Sequence, residues 1–327
     1  MRGPLLLGGI ALTLLPMPAL LAPYPLLILC HMLVLSIACL ALNLLHGTTG
    51  LMSLGHAAYF GAAAYAGTFL YRFSAVESLE LYLAFGVLFS TVLAAAVGFL
   101  CVRATKIHFA ILTLAFSMML HSAVISGAVF RLFGGLGWAL YLLGGGSLGL
   151  PRLSLAGRNV PAGDFIPAFY YVIAGAFLVT LALLWRIRKS IFGHALQAIR
   201  DNETRAAFIG IPVRRYRWAA FVLSGLFMGL AGSLYGQLAR QITPDQLHWL
   251  FSAQLVVAIV LGGTRYYLGP VAGAFAFVGL DELTSHLTVG RSMAIGLLLI
   301  VVNRYFPQGI AGGWMAVVAR VGSRLRS

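Results

Sequence analysis

Residues Trp185–Trp218 read WRIRKSIFGHALQAIRDNETRAAFIGIPVRRYRW and separate two long apolar stretches of the chain. Because those stretches are apolar enough to enter lipid, the segment between them must lie in water, and its basic excess predicts the cytoplasmic side of a membrane. We refer to residues 186–217 as the basic loop. Eight of the 22 Lys and Arg residues of the chain lie in it: Arg186, Arg188, Lys189, Arg200, Arg205, Arg214, Arg215 and Arg217.

The rest of the chain has the composition of a membrane protein. Of its 327 residues, 61% are hydrophobic and 9% are charged, and the mean hydropathy is +0.94. Soluble domains carry about 25% charged residues. The net charge of +14 does not predict a nucleic-acid partner, since the basic residues lie at the ends of apolar runs, where they orient a chain and contact membrane lipid. The composition predicts an all-α integral membrane protein.

Apolar windows of about twenty residues predict a polytopic bundle of about ten transmembrane helices. With the basic loop inside, between spans six and seven, both termini are cytoplasmic and most Lys and Arg residues lie inside, as the positive-inside rule requires. The predicted spans are Leu5–Ala22, Pro25–Leu45, Leu51–Tyr71, Leu79–Val102, Phe109–Phe130, Phe165–Trp185, Ala219–Leu238, Leu250–Gly263, Gly269–Leu283 and Met293–Tyr305.

Residues 1–327 would therefore form a single transmembrane domain, with an external Gly-rich loop at residues 131–164. An alternative exists for the first span, since Met1 and Arg2 followed by an apolar run also resemble a signal peptide. We favour retention of this span, because no clear cleavage site precedes a polar segment.

The basic loop itself has a helical pattern. Gly193–Arg200 predicts a short helix whose apolar side holds Ala195, Leu196 and Ile199. Asp201 is the expected N-cap of a second short helix that ends at Ile209. Gly210 suits the left-handed position after that helix, with Ile211 as its apolar partner and Pro212 as the stop. Two capped helices in a loop favour a docking element, whereas composition alone is also compatible with a loop that only sets the topology.

Small residues recur at helical spacing in the seventh span. Gly225, Gly229, Gly232 and Gly236 mark one face, and glycine at this spacing lets helices approach closely in lipid. In the third span Gly61 follows Ala57, beside a row formed by Ser53, His56 and Phe60. We interpret these residues as helix-packing positions, beside which a translocation path would run.

No catalytic or metal-binding constellation is present in the sequence. Cys30, Cys39 and Cys101 lie in apolar stretches at unrelated spacings, which predicts neither disulfides nor a metal site. The only lysines, Lys106 and Lys189, do not follow glycine, so the chain has no P-loop for ATP. None of the eight acidic residues lies in the middle of a predicted span, which disfavours an ion-coupled carrier.

Several blocks of the sequence agree with one family pattern. Gly50–Gly67 reads GLMSLGHAAYFGAAAYAG, Gly144–Pro151 reads GGGSLGLP, and Gly193–Ile211 is the helical part of the basic loop; further blocks are Pro244-Asp245, Gly262–Gly273 and Pro307–Gly312. In this order the blocks resemble those of LivM-type permeases, the membrane subunits of importers for branched-chain amino acids and related compounds that are driven by ATP-binding cassette (ABC) proteins. The first block is similar to the GLxSLGHAAFFGxGAY signature, the second to the Gly-rich external loop and the third to the cytoplasmic segment that docks on the ATPase.

The resemblance implies a partner set and a place in the cell. The partners would be a homologous second permease subunit, two ATP-binding subunits that use ATP and Mg, and an extracytoplasmic substrate-binding protein. This chain would hold no cofactor, catalyse no reaction and lie in the bacterial cytoplasmic (inner) membrane. The ATPase-coupling residues would be Gly193, Ala195, Leu196, Ile199, Arg200, Asp201, Glu203, Ala206, Ala207 and Gly210.

By the same resemblance, Ala206 and Ala207 would allow close approach of the ATPase, while Arg200, Asp201 and Glu203 would make polar contacts with it. The sequence departs from the family pattern at Thr264-Arg265, Phe306 and His194. Relatives import branched-chain amino acids, urea, short amides or aromatic acids, and we expect a branched-chain amino acid here. The competing hypotheses are a self-sufficient ion-coupled transporter or channel, and a membrane-embedded enzyme, which the lack of an acid, His or Cys cluster disfavours.

Overall fold

The computed structural model describes residues 3–74, 77–104, 106–126, 147–155, 161, 163–264, 266–284, 296 and 309–312. Nearly all of this part of the chain is helical. The helices are α1 (Gly3–Leu14), α2 (Met17–Leu20), α3 (Pro23–Thr49), α4 (His56–Ser74), α5 (Leu79–Cys101), α6 (Lys106–Ile125), α7 (Phe165–Lys189), α8 (Ile191–Asp201), α9 (Glu203–Phe208), α10 (Val213–Ala239), α11 (Trp249–Gly262) and α12 (Gly269–Leu283).

Five of the described helices are long and apolar enough to cross a membrane. They are Pro23–Thr49, Leu79–Cys101, Ile107–Ile125, Phe165–Lys189 and Val213–Ala239. The described residues therefore form a mostly helical membrane protein. The segments predicted as spans eight and nine are the shorter helices α11 and α12, and the tenth, Met293–Tyr305, lies outside the described residues apart from Gly296.

The start of the third predicted span differs from the structure. This span was expected to begin at Leu51, but helix α4 begins at His56, because Gly50 adopts a left-handed backbone (φ +72°) and the chain stays irregular as far as Gly55. The first predicted span is divided between α1 and α2 near Pro16, since proline interrupts the hydrogen bonds of a helix. The flanking helices extend into the basic loop at both ends, since α7 continues to Lys189 and α10 begins at Val213.

Helix α10 is the centre of the bundle and packs on α3, α4 and α5. Its glycines lie where neighbouring backbones come closest. A Cβ added at Gly232 would collide with the Phe60 carbonyl oxygen of α4, and one added at Gly229 would lie 2.5 Å from Ser90 Cβ of α5. The prediction that this face packs closely is confirmed. At the other two positions an added Cβ would meet Ala94 (Gly225) and Tyr82 Oη (Gly236).

The two ends of the bundle are closed differently. At one end lies the basic loop. At the opposite end a two-residue antiparallel ladder joins β1 (Leu148–Gly149) to β2 (Gln241–Ile242), so that part of the Gly-rich loop is tied to the connection that follows α10. The chain then passes through a 3-10 helix (Pro244–Leu247) into α11.

Candidate functional site

Helix α8 of the basic loop buries one face against the rest of the chain. Ser190 caps its N-terminus, and its Oγ accepts a hydrogen bond from the Gly193 N–H at 3.3 Å. Leu196 and Ile199 are fully buried, and Ala195 is largely so. A Cβ at Gly193 would collide with the last carbonyl groups of α7, so glycine is required at this turn. The predicted helix and its apolar side are confirmed.

The N-cap of helix α9 is Asn202, whose Oδ1 accepts a hydrogen bond from the Arg205 N–H at 2.9 Å. The prediction that Asp201 is this cap is wrong, because α8 continues through Asp201 and an N-cap residue must leave the helical conformation. Asn202 does leave it, with φ −158° and ψ 106°. Asp201 is exposed at the junction of the two helices.

The end of α9 has the predicted left-handed glycine. Gly210 has φ +87°, and its N–H donates to the Ala207 carbonyl at 3.0 Å. The Ile211 N–H donates to the Ala206 carbonyl at 3.1 Å. This pair of bonds is the Schellman arrangement, which satisfies carbonyl groups that the helix end would otherwise leave open.

Two arginines fix the basic loop to the bundle. The Arg200 guanidinium donates to the Gly47 carbonyl near the C-terminus of α3, where a positive charge is favourable, and its side-chain carbons lie against Gly50. The Arg217 guanidinium donates through both terminal nitrogens to the two carboxylate oxygens of Glu203, each at 2.7 Å. Arg200 and Glu203, which were expected to contact a partner, are therefore engaged within the chain.

Burial separates the predicted coupling residues into two groups. Ala206 is buried in the chain's own core, so its small size serves packing within this chain. Ala207 is exposed. The exposed surface of the basic loop includes large apolar side chains among polar ones, since Ile191 and Phe208 are each 87% exposed and Ile209 is 70% exposed. Sequence reasoning did not single out these residues, although three large apolar side chains in a basic loop were a usable signal.

The row Ser53, His56 and Phe60 lies in the interior, next to α10. His56 is fully buried and contacts Ser53 Oγ through Nδ1 (2.7 Å) and Ser224 Oγ of α10 through Nε2 (2.8 Å). Ser224 in turn donates to the Ala41 carbonyl of α3 at 2.6 Å. The polar row thus connects α3, α4 and α10, which supports the interpretation of His56 as a hydrogen-bonded core residue.

Phe60 and Gly61 of α4 contact residues near the end of the bundle opposite the basic loop. The ring of Phe60 lies 4.7 Å from that of Phe251 and 5.3 Å from that of Tyr235, measured between centroids. A Cβ added at Gly61 would lie 2.6 Å from Leu247 Cγ of the 3-10 helix. Within the described ranges, no three His, Cys, Asp or Glu side chains are grouped so as to hold a metal ion.

Comparisons with known proteins agree with this architecture. The family described as "Branched-chain amino acid transport system / permease component" matches residues 24–303. The high-affinity branched-chain amino acid transport system permease protein LivM of Escherichia coli (strain K12) is 23% identical over 287 residues, which cover 83% of this chain and 66% of that protein. No solved structure matches the chain.

Two further relatives match over shorter segments. The probable branched-chain amino acid transport permease protein LivH of Methanocaldococcus jannaschii is 28% identical over 159 residues, or 45% of this chain and 48% of that protein. The autoinducer 2 import system permease protein LsrC of Klebsiella pneumoniae is 33% identical over 128 residues, or 36% of each. The chain thus spans just under two thirds of LivM and less than half of these two relatives.

Proposed function

The chain belongs to the family of permease components of branched-chain amino acid transport systems, and from this membership we propose that it is the translocating subunit of an ATP-driven importer. It is a multi-pass protein of the inner membrane. Its proposed partners are a homologous second permease subunit, two ATP-binding subunits and an extracytoplasmic substrate-binding protein. ATP and Mg would be used by the ATP-binding subunits, and this chain would carry out no catalysis.

In the proposed topology about ten spans cross the membrane, both termini are cytoplasmic and the basic loop faces the ATP-binding subunits. The opposite end, with its β1–β2 ladder, would receive solute from the binding protein. Helix α5 has a row of exposed apolar side chains, among them Leu81, Phe85, Leu88 and Val92. Because their spacing places them on one face of the helix, we assign this face to membrane lipid or to the second permease subunit.

The observation that carries the proposal is the construction of the basic loop. Its two short helices are held by the Arg200–Gly47 contact and the Glu203–Arg217 pair, while Phe208 and Ile209 are left exposed. A segment that is fixed to the bundle on one side and exposes large apolar side chains on the other can transmit a push or pull from a bound protein. ATP-driven movement of the partner would thereby shift α3 and α10, to which the loop is attached.

The proposed cargo is a small amino acid-like solute, with a branched-chain amino acid as the first candidate and urea, short amides and aromatic acids as alternatives. The solute would pass between this chain and the second permease subunit. Movement of the ATP-binding subunits would shift the permease pair between outward-open and inward-open states. Selectivity would depend largely on the delivery protein, as in binding-protein-dependent importers generally.

Substitution of Phe208 by Ala tests the docking assignment. The chain is produced together with its ATP-binding subunits and second permease, and the amount of ATP-binding subunit that copurifies is measured with ATP-dependent solute uptake. If Phe208 is an anchor of the interface, its truncation costs about 2 kcal/mol, which weakens binding more than tenfold.

Gly210→Pro should have a similar effect, since proline cannot adopt φ +87° and would remove the Gly210 N–H bond.

Leu283→Ala is the matched control, because Leu283 is 76% exposed but lies at the end of α12, away from the basic loop. We expect this variant to bind and transport like the wild type. Full ATPase binding and uptake by both Phe208→Ala and Gly210→Pro would contradict the docking assignment. Uptake by the purified chain alone in liposomes, driven by an ion gradient, would instead establish the ion-coupled alternative.

A further inference from the structure

A cavity of about 210 Å³ lies among α3, α4, α10, α11 and α12, near the end of the bundle opposite the basic loop. Its position follows from the residues that line it. His31 lies about two turns inside α3, Tyr235 lies near the end of α10, and Asp281 lies in the last turn of α12. In the proposed topology this is the outer half of the membrane, through which an imported solute must pass first.

The polar side of the cavity carries an acid. Asp281 is half-buried, and it lines the cavity together with His31. Gln254 of α11 adds an amide that can both donate and accept hydrogen bonds. Asp281 lies in the last turn of α12, so in the proposed topology its carboxylate is near the outer membrane surface, where an arriving solute can reach it.

The rest of the wall is aromatic. Phe60, Phe251 and Phe277 line the cavity, and the Tyr235 ring lies 5.2 Å from that of His31. Aromatic rings suit an apolar side chain, and their faces also attract a cation. A small cavity lined by a carboxylate and aromatic rings is therefore suited to bind a solute in which an ammonium group is attached to an apolar side chain.

This combination discriminates among the solutes that the proposed function leaves open. Urea and short amides are neutral and small, so they would make only hydrogen bonds without charge pairing to Asp281 and would gain little from the aromatic wall. An aromatic acid without an amino group would be repelled by the carboxylate. An α-amino acid with an apolar side chain matches both the carboxylate and the aromatic wall. Its ammonium can pair with Asp281, its side chain can contact the aromatic rings, and its carboxylate can accept hydrogen bonds from Gln254 or His31.

We propose that this cavity is a transient binding site for the transported solute, that the solute is an α-amino acid with an apolar side chain, and that Asp281 binds its ammonium group. The proposal rests on the proposed import function and narrows its substrate. The site is open on one side, since Gln254 is exposed, and the second permease subunit would complete it.

The test uses the complete importer in proteoliposomes, with its binding protein and radiolabelled leucine. Asp281→Asn is expected to lower ATP-dependent leucine uptake about tenfold or more, since it removes a charge-assisted hydrogen bond, while ATP hydrolysis stimulated by the binding protein persists. Asp281→Glu should restore part of the uptake. Glu282→Gln is the matched control, because Glu282 follows Asp281 directly but accepts a hydrogen bond from the Tyr24 hydroxyl at 2.5 Å and does not line the cavity.

Wild-type leucine uptake by Asp281→Asn would overturn the proposal. So would a wild-type importer that carries urea or acetamide and not leucine, a result that leaves the import function standing. If Asp281→Asn fails to assemble, Val278→Phe is the second test of the binding site, since the larger side chain would fill the same cavity without altering its charge. Unchanged leucine uptake by Val278→Phe would then contradict the assignment of this cavity as a solute-binding site. Import that needs no ATP-binding subunit would instead reject the proposed function itself.

Discussion

The hydrogen bonds around His56 indicate the tautomer of its neutral ring, that is, which ring nitrogen carries the proton. Ser224 has a single hydroxyl proton, which it donates to the Ala41 carbonyl. Its oxygen must therefore accept from the Nε2–H of His56, and in the neutral ring Nδ1 then accepts from the Ser53 hydroxyl. This chain of bonds joins Ala41 of α3, Ser224 of α10, His56 of α4 and Ser53 of the irregular segment before α4, so the histidine acts as a structural connector.

Substitution of Ser224 by Ala should destabilise the protein. It would leave the His56 Nε2–H without a partner in a buried site, which costs about 1–3 kcal/mol in the free energy of unfolding. Thermal unfolding in detergent measures the change. Ser126→Ala is the control, because Ser126 is exposed at the end of α6 and bonds only within its own turn; equal unfolding temperatures for the two variants would contradict this role.

At the level of helices, close approach is concentrated on one face of α10. Gly225 and Gly229 face α5, and Gly232 faces the backbone of α4. In lipid, where apolar surfaces gain little from leaving the solvent, dispersion contact between closely packed backbones holds helices together. The helix that the basic loop leads into is therefore also the one most tightly held by its neighbours.

Gly232→Ala should separate α4 from α10. The added Cβ would meet the Phe60 carbonyl, a backbone atom that cannot move away cheaply, and we expect a loss of about 2 kcal/mol or more in the free energy of unfolding. Thermal unfolding in detergent measures the loss of stability, and solute uptake measures the loss of transport. Gly175→Ala in α7 is the matched control, since a Cβ there has no neighbour within 4 Å and alanine favours a helix; a comparable loss in this variant would contradict the packing explanation.

For the whole molecule, the two ends of the bundle have different surfaces. The basic loop presents arginines and exposed Phe208 at one end, whereas a β ladder closes the other. The cavity at Asp281 lies toward the β-ladder end. If the basic loop is cytoplasmic, solute entry and ATPase docking are on opposite sides of the membrane, as import requires.

Labelling of introduced cysteines tests this orientation. Thr204→Cys in the basic loop should react with a membrane-impermeant maleimide in inverted vesicles and not in right-side-out vesicles, and Gly163→Cys should show the reverse. Both positions are exposed. The native Cys30, Cys39 and Cys101 are buried and serve as the unreactive background. Labelling of Thr204→Cys from the outside would refute the proposed topology and the docking function with it.

Local patterns were sufficient for much of the fold. Apolar length predicted the long helices, and the glycine spacing predicted the packing face of α10, because both depend on neighbours along one helix. Gly210 and its Schellman bonds were predicted for the same reason. The N-cap of α9 was misplaced by one residue, since Asp201 and Asn202 are equally suitable by residue type and only the actual end of α8 decides between them.

Tertiary structure decided which side chains are available for function. Glu203 and Arg217 are separated by a loop and a turn, and His56 and Ser224 lie on helices far apart in sequence, so no spacing rule connects them. The cavity likewise combines His31, Tyr235 and Asp281 from three distant helices. By itself, the sequence determined that the chain enters a membrane and predicted which segment stays in water, because those properties are sums over local composition. Which apolar and charged groups remain exposed depends on how the helices pack, and only the folded chain determines that.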